Sequence, residues 1–476
     1  MGIIANHSSA RQHVSSSDIR DGFSRVMSSM YAVEVPLYDK LLALVSYVNN
    51  KVLQNDQTLR ARLQATDDLD RIHLERHGAF RVGTPAELRL VRRVLQVMDM
   101  RPTGYYDLSS SGVPVHATCF RVHEASELSK NPFRLFVSLL RPDLIASDRL
   151  RADVENILSR RQIFSIQMQE LLAIYEQYGG LTKQEAEEFV QETRNTFQWH
   201  PRAAVSQDEY RRLLGENSVL ADIVAFQSPH INHLTPRTLD IDAVQSGMRD
   251  WGIPLKDYVE GPPKRDCPIL LRQTSFKAIE EPIGFPTGPH CTNGASAVVI
   301  PGSHTARFGE IEQRGAALTV KGRQLYDTLL KSALDEGITA SDGELFSQKF
   351  AQFPDSWEQM RVGGLAWFQY YINPEKRQLS GCPKSDNLDD LIREGYISYE
   401  PIVYEDFLPV SAAGIFQSNL PKDSHSHEAS VKSTLSECRI SFEHALGVKI
   451  ADEMALYQKI QEHSLEECQQ WIRSKK

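Results

Sequence analysis

Apolar residues recur at helical spacing through Tyr38, Leu41, Leu42, Leu44 and Val45, so the chain over 17–64 reads as helices. Ser17 and Asp18 offer side-chain oxygens to cap the first of them. The pattern then shortens. Residues 77–82 form a brief run flanked by Gly78 and Gly83, which suits a strand packed closely on other backbone. Thr84, Pro85 and Glu87 read as the start of a helix running to about Met98: a cap, a proline in the first turn, and a reciprocal glutamate. Strand-like runs at 105–109 and 113–122 follow, broken at Ser111-Gly112. Charged, helix-favouring residues dominate 143–214, with a break at Gly179-Gly180. A strand at 231–236, a helix at 240–252, and strands at 269–278, 296–300 and 308–319 come next. Helix returns over 322–337 and again after Ala455.

Within this succession lies an internal repeat. His77-Gly-Ala-Phe-Arg81 and His233-Leu-Thr-Pro-Arg237 share the form H-x-x-x-R. Each sits in a short strand, precedes a helix and is followed by strands. The spacing is too long for a solenoid; it suits two related β-α-β-β-β modules that pair and enclose a site. The expected fold is therefore α+β, a single catalytic unit over 17–470. Within it we expect a first module at 70–125, a helical insertion at 126–225 and a second module at 228–320. The rest, 321–470, holds a helical insertion, a pocket-lining segment and a C-terminal helix.

Composition narrows the class. With 476 residues, 41% apolar and 24% charged, the chain can bury a large core. A net charge of −9 argues against a nucleic-acid partner, which usually demands a basic face. No run approaches the roughly 18 apolar residues of a membrane helix. Six cysteines stand singly with no C-x-x-C pair, so zinc ribbons and dithiol redox motifs are not expected, and a reducing, cytoplasmic setting is. The N-terminal Met1-Gly2-Ile3-Ile4-Ala5-Asn6 lacks the Ser or Thr of a myristoylation start, and the Ser-rich stretch after it runs into Asp18 and Asp21.

The repeat also carries the chemistry. Alternate residues of a strand share a face, so His77 and Arg81 point the same way about 13 Å apart. That separation fits a dicarboxylate of about six carbons, one end on a metal at His77 and the far carboxylate in the planar fork of Arg81. In the second module His233 occupies the repeat position, while His230 follows Pro229 in an approach loop and has the opposite strand parity. Glu310 and Glu312 lie on one face of a strand-like run, and either can supply an oxygen; the competing role is a salt bridge to Arg314. Two histidines and a carboxylate form the facial set of non-haem iron(II) oxygenases, with open positions for a chelating 2-oxo acid and dioxygen. His116 and His123 flank a strand and offer hydrogen bonds behind such ligands, or else are ordinary half-buried histidines. His425 and His427 lie in a polar stretch expected to be solvated. The segment from Asp406 to Asn419 is small and apolar, suited to lining a pocket with backbone donors.

Three stretches resemble a known family: Arg76-His-Gly-Ala-Phe-Arg-Val-Gly-Thr-Pro-Ala-Glu-Leu88, His230-Ile-Asn-His-Leu-Thr-Pro-Arg-Thr-Leu-Asp-Ile-Asp242 and Phe407-Leu-Pro-Val-Ser-Ala-Ala-Gly-Ile-Phe-Gln-Ser-Asn-Leu420. They are similar to the 2-oxoadipate dioxygenase/decarboxylase family, and the resemblance runs from about Ser17 to Gln470. It implies a vicinal-oxygen-chelate core, an iron(II) cofactor, and conversion of 2-oxoadipate and dioxygen to D-2-hydroxyglutarate and carbon dioxide in lysine breakdown. By motif it implies His77 and His233 as metal ligands and Arg81 as the anchor of the substrate carboxylate. Gly-Glu-Ile-Glu-Gln-Arg looks like the strand that carries the glutamate ligand in 4-hydroxyphenylpyruvate dioxygenases, which implies Glu310, with Glu312 as the alternative. Val410 and Ser411 are implied to touch substrate through the backbone. The rival expectations are an oxygenase for another 2-oxo acid and a non-catalytic small-acid-binding protein.

Overall fold

The structure is a computed structural model that describes residues 11–65, 68–287, 299–377, 383, 385–408 and 431–475. Its centre is a five-stranded sheet in the order β2-β3-β4-β1-β5. These strands are β1 (Arg76–Val82), β2 (Arg101–Asp107), β3 (Val115–Arg121), β4 (Arg134–Leu140) and β5 (His233–Pro236). The first four, with the helix Pro85–Val97 between β1 and β2, make one β-α-β-β-β module in which β1 and β4 run parallel and the rest antiparallel. The helix begins as its sequence demands. Thr84 accepts from the Glu87 amide, the Glu87 side chain reaches back, and Pro85 stands in the first turn. Its apolar stripe, Leu88, Val91, Val94 and Leu95, is fully buried.

β4 lies inside the stretch expected to be a helical insertion. Its sequence, RLFVSLL, is buried at every position, and such a run carries no alternation to separate strand from buried helix. Helices Asp148–Ser159, Ile166–Tyr178, Lys183–Phe197 and Gln207–Glu216 then follow, and Gly179 in the left-handed region ends the second of them. At the N-terminus the cap of helix Ser16–Glu34 is Ser15, which accepts from the Asp18 amide, in place of the expected Ser17-Asp18.

The second module opens with β5 and the helix Ile241–Asp250, capped by Asp240. It continues through β6 (Leu271–Ser275), β7 (Glu280–Pro286), β8 (Val299–Thr305) and β9 (Glu310–Arg314). β9 pairs antiparallel with β6 and meets the end of β5 through a parallel bridge from Arg237 to Glu312, as β4 meets β1 in the first module. β7 and β8 form a separate hairpin, so this half departs from the first by an extra excursion. β7 was not anticipated, because Pro282, Gly284 and Pro286 read as loop. A further pair, β10 (Phe368–Ile372) and β11 (Ile397–Pro401), packs on the helix Glu453–Lys475. No helix among the described residues is long and apolar enough to cross a membrane.

The two modules join edge to edge. β1 and β5 are antiparallel, with His77 opposite Thr235 and Ala79 opposite His233. The repeated histidines are thereby brought side by side at the seam.

Candidate active site

Three strands deliver one residue each to the seam: His77 on β1, His233 on β5 and Glu310 on β9. All three are buried, and one ligand atom from each lies within 4.8 Å of the others. The His77 Nε2 atom is 3.0 Å from a Glu310 oxygen, and His233 Nδ1 is 3.4 Å from the same oxygen. The imidazole rings meet edge to face at 5.2 Å. His233 Nε2 and Glu310 Oε1 are fully buried without a hydrogen-bond partner. Orphaned polar atoms are costly in a native interior, and two of them on residues whose ligand atoms gather within 4.8 Å of one another fit a bound cation.

Around these residues the sequence supplies support. Glu312 stands two residues beyond Glu310 on the same face of β9, and its Oε2 lies 3.0 Å from His77 Nδ1. The contact falls short of hydrogen-bond geometry, but the Glu312 charge beside Nδ1 favours the proton on that nitrogen and leaves the lone pair of Nε2 for a metal, the usual arrangement behind a metal-bound histidine. Arg314 grips Glu312 through Nε and Nη2 at 2.8 and 2.9 Å, and donates Nη1 to the carbonyls of Tyr404 and Asp406. The Glu310 oxygen that lies beside both histidines, Oε2, also accepts from Thr235 at 2.8 Å and from Gln273 at 3.0 Å. Phe407 stands 4.9 Å from the His77 ring and Phe308 stacks 4.9 Å from that of His233, walling the site with apolar surface.

Electrostatics divides the two histidines. Burial alone depresses both, but Glu312 and Glu310 outweigh it at His77 and raise its pKa. At His233 burial prevails over Glu310, and the pKa falls to about 4. His233 is therefore neutral at physiological pH, with a lone pair available. Glu312 is held down to about 2: burial opposes this, and Arg314 and His77 overcome it.

Behind the ligands lies a buried ionic network that the sequence did not announce. Glu75, fully buried, meets Arg134 and Arg237 at 2.8 Å each and Arg71 at 3.4 Å. Arg71 and Arg134 also pair with Glu405. Glu75 lies two residues before His77, just ahead of β1. Asp406, next in the chain, binds Arg121 at 2.8 and 3.0 Å.

Arg81, the other repeated residue, sits at the far end of β1 and places Nη1 2.5 Å from Asp222. His230 is not with His233. It joins Asp222 and His304 in a second buried group. His116 packs on Phe442 and Tyr105, and His123 contacts Thr103, so neither supports the site. Val410 and Ser411 lie outside the described residues, as do His425 and His427.

Similarity to known proteins agrees with this arrangement. The profile of the 2-oxoadipate dioxygenase/decarboxylase family matches residues 23–419. A 2-oxoadipate dioxygenase/decarboxylase of Pseudomonas putida is 50% identical over 472 residues, covering 97% of this chain and 98% of its own. One from Escherichia coli is 48% identical over 456 residues, covering 96% and 98%. Among solved structures, the hydroxyglutarate synthase of Pseudomonas putida in complex with 2-oxoadipate superposes with a TM-score of 0.86. It is 47% identical and covers 98% of this chain and 100% of its own. With its paired modules and buried two-histidine, one-glutamate seam, this chain is an enzyme that belongs to the 2-oxoadipate dioxygenase/decarboxylase family.

Proposed function

We propose that the enzyme converts 2-oxoadipate and dioxygen to D-2-hydroxyglutarate and carbon dioxide, using an iron(II) ion held by His77, His233 and Glu310. The observation that carries this reading is the convergence of two buried histidines and a buried glutamate, with His233 Nε2 and Glu310 Oε1 left without protein partners. The names of its close relatives support the substrate. Iron held at such a site would supply Lewis acidity and a redox-active centre for dioxygen, the net electrons coming from oxidation of the substrate.

The chain's own residues do the rest. Glu312 keeps the His77 proton on Nδ1 and leaves Nε2 free to ligate. Thr235 and Gln273 fix Glu310 Oε2 beside the two histidines, and Oε1 is left without a protein partner to offer a cation. Phe308 and Phe407 exclude bulk water and lower the local dielectric. Arg81 takes the distal carboxylate of the substrate, so that the carbon to be hydroxylated faces the metal in one orientation. We place the reaction in the cytoplasmic breakdown of lysine; Cys119, Cys267, Cys438 and Cys468 are free thiols, consistent with a reducing compartment.

Anaerobic loading with iron(II), followed by oxygen uptake and product analysis, tests the proposal. One D-2-hydroxyglutarate and one carbon dioxide per dioxygen are expected from 2-oxoadipate. Uptake with a different 2-oxo acid and none with 2-oxoadipate would overturn the substrate. His77→Ala and Glu310→Ala should each lose bound iron; iron retention by Glu310→Ala with loss by Glu312→Ala would exchange the ligand assignment.

A further inference from the structure

The second buried group, Asp222, His230 and His304, comes from three separate parts of the chain. Asp222 lies in the helix Ser218–Val224, His230 in the loop before β5, and His304 on β8. His230 and His304 place Nε2 3.1 and 3.0 Å from the same Asp222 oxygen, Oδ1. The other oxygen, Oδ2, takes the Arg81 guanidinium at 2.5 Å and the Asn232 amide at 3.3 Å. His304 is locked in turn, for its Nδ1 lies 2.9 Å from the Tyr210 hydroxyl. Trp199 stacks on His304 and meets His230 edge-on. Asp222, His230 and His304 are at most 7% exposed.

The hydrogen-bond pattern sorts out the roles. A carboxylate only accepts, so both Nε2 atoms carry protons, and the Nδ1 of His304 is left to accept from Tyr210. Three donors besides the arginine prevent the carboxylate from swinging. A cation is a poor occupant here: both facing nitrogens are protonated, and the Arg81 charge sits on the same carboxylate. The internal repeat provides a contrast. Arg237, the counterpart of Arg81, is held by Glu75, which three further arginines surround, so it is committed to the core. Arg81 is instead held by an acid whose other contacts are two imidazoles and an amide.

We propose that Asp222 is a positioning residue for the substrate anchor, aiming the Arg81 fork and setting the preference for acids with a distal carboxylate, with His230 and His304 holding Asp222 in register. The inference rests on Arg81 being that anchor. An arginine side chain surrenders several rotatable bonds when it binds, and an acid that fixes one terminal nitrogen in advance removes much of that cost before substrate arrives. The loss of such a contact shows in KM before it shows in kcat, because the reacting end is held elsewhere.

The test is steady-state kinetics of the iron-loaded enzyme with 2-oxoadipate and with 2-oxohexanoate, which has the same length but ends in a methyl group. Asp222→Asn keeps the shape and removes the charge. It should raise KM for 2-oxoadipate about ten- to hundredfold and leave kcat within about threefold, the scale of one charged hydrogen bond. It should leave kcat/KM for 2-oxohexanoate unchanged, and Asp222→Glu should recover part of the loss. His304→Met gives an independent reading should Asp222→Asn fold poorly, with a smaller rise in KM in the same direction. Arg81→Met separates the two ideas. If it raises KM for 2-oxoadipate while Asp222→Asn and His304→Met do not, the positioning role is wrong and the anchor stands. If Arg81→Met leaves that KM unchanged, the anchor itself falls. A second equivalent of bound metal that disappears in His304→Met would overturn the proposal in favour of an ion site.

Discussion

His77 is flanked by carboxylates on both ring nitrogens, Glu310 at Nε2 and Glu312 at Nδ1, each 3.0 Å away. The two acids are chemically alike and two residues apart, yet their surroundings assign them different tasks. Arg314 saturates Glu312 with two hydrogen bonds, whereas Glu310 keeps one buried oxygen unpartnered. Glu312→Gln should therefore weaken metal binding without abolishing it, by about 10- to 100-fold as for other residues behind a ligand. Glu310→Gln removes a ligand charge and should cost more. Titration of metal-free protein with iron(II) under argon gives both constants; equal losses from the two variants would show that the acids share one role. In the sequence these two acids were equivalent, because strand parity places both on one face. Only Arg314 and the route of β9 past Thr235 and Gln273 tell them apart, and those contacts span distant parts of the chain.

At the scale of elements, the strands that carry ligands are set by close backbone approach. Gly315 directly follows β9, and a Cβ there would stand 2.3 Å from the Pro268 carbonyl carbon and 2.4 Å from the Ile269 nitrogen. Backbone cannot give way as a side-chain tip does, so Gly315→Ala must displace β9 or the chain entering β6. A loss of about 1–3 kcal/mol is expected, as in overpacked cores, together with weaker iron retention because Glu310 and Glu312 ride on that strand. Gly215, exposed within helix Gln207–Glu216, has nothing near its missing Cβ, and Gly215→Ala should gain about 0.5–1 kcal/mol through helix propensity alone. Chemical denaturation of both variants checks the opposite signs. The elements themselves were largely legible where a local device marks them. The capping box at Thr84 and Glu87 falls where the sequence places it, and the helices Ile241–Asp250 and Val320–Asp335 lie within two residues of the expected 240–252 and 322–337. β4 and β7 were not: one is uniformly apolar, and the other alternates burial through two prolines and a glycine that locally favour a loop. Tertiary pairing decides both.

Across the whole molecule, the twofold H-x-x-x-R pattern was readable because each copy lies within five residues, and pairing of β1 with β5 turns it into a site. The ionic and hydrogen-bonded groups that distinguish the copies, Glu75 beside Arg237 and Asp222 beside Arg81, depend on the fold and have no local mark. Long-range electrostatics of this kind also shapes stability against pH. His116 and His123 are pushed down to about 4, in each case chiefly by burial. Their folded pKa values lie below the ordinary 6.5, so their contribution is complete above that pH and is lost as pH falls towards 4. Glu453 acts oppositely: burial, then the nearby Asp406, raise it to about 7. A carboxyl raised above its ordinary 4.5 binds a proton more readily when folded, so its effect favours the native state at low pH and is lost as pH rises through 7. Glu453→Gln removes this term and leaves the histidines. The variant should therefore match the wild type near pH 4.5 and exceed it at pH 8 by about 1–2 kcal/mol, a discounted value for a partly exposed group. Its stability should also fall more steeply on acidification from pH 7 to 5. Urea midpoints of both proteins across that range give the difference directly, and because both carry the same metal site, pH-dependent metal release cancels. A constant difference at every pH would show that Glu453 is ionised throughout and that the burial around it is not what raises its pKa.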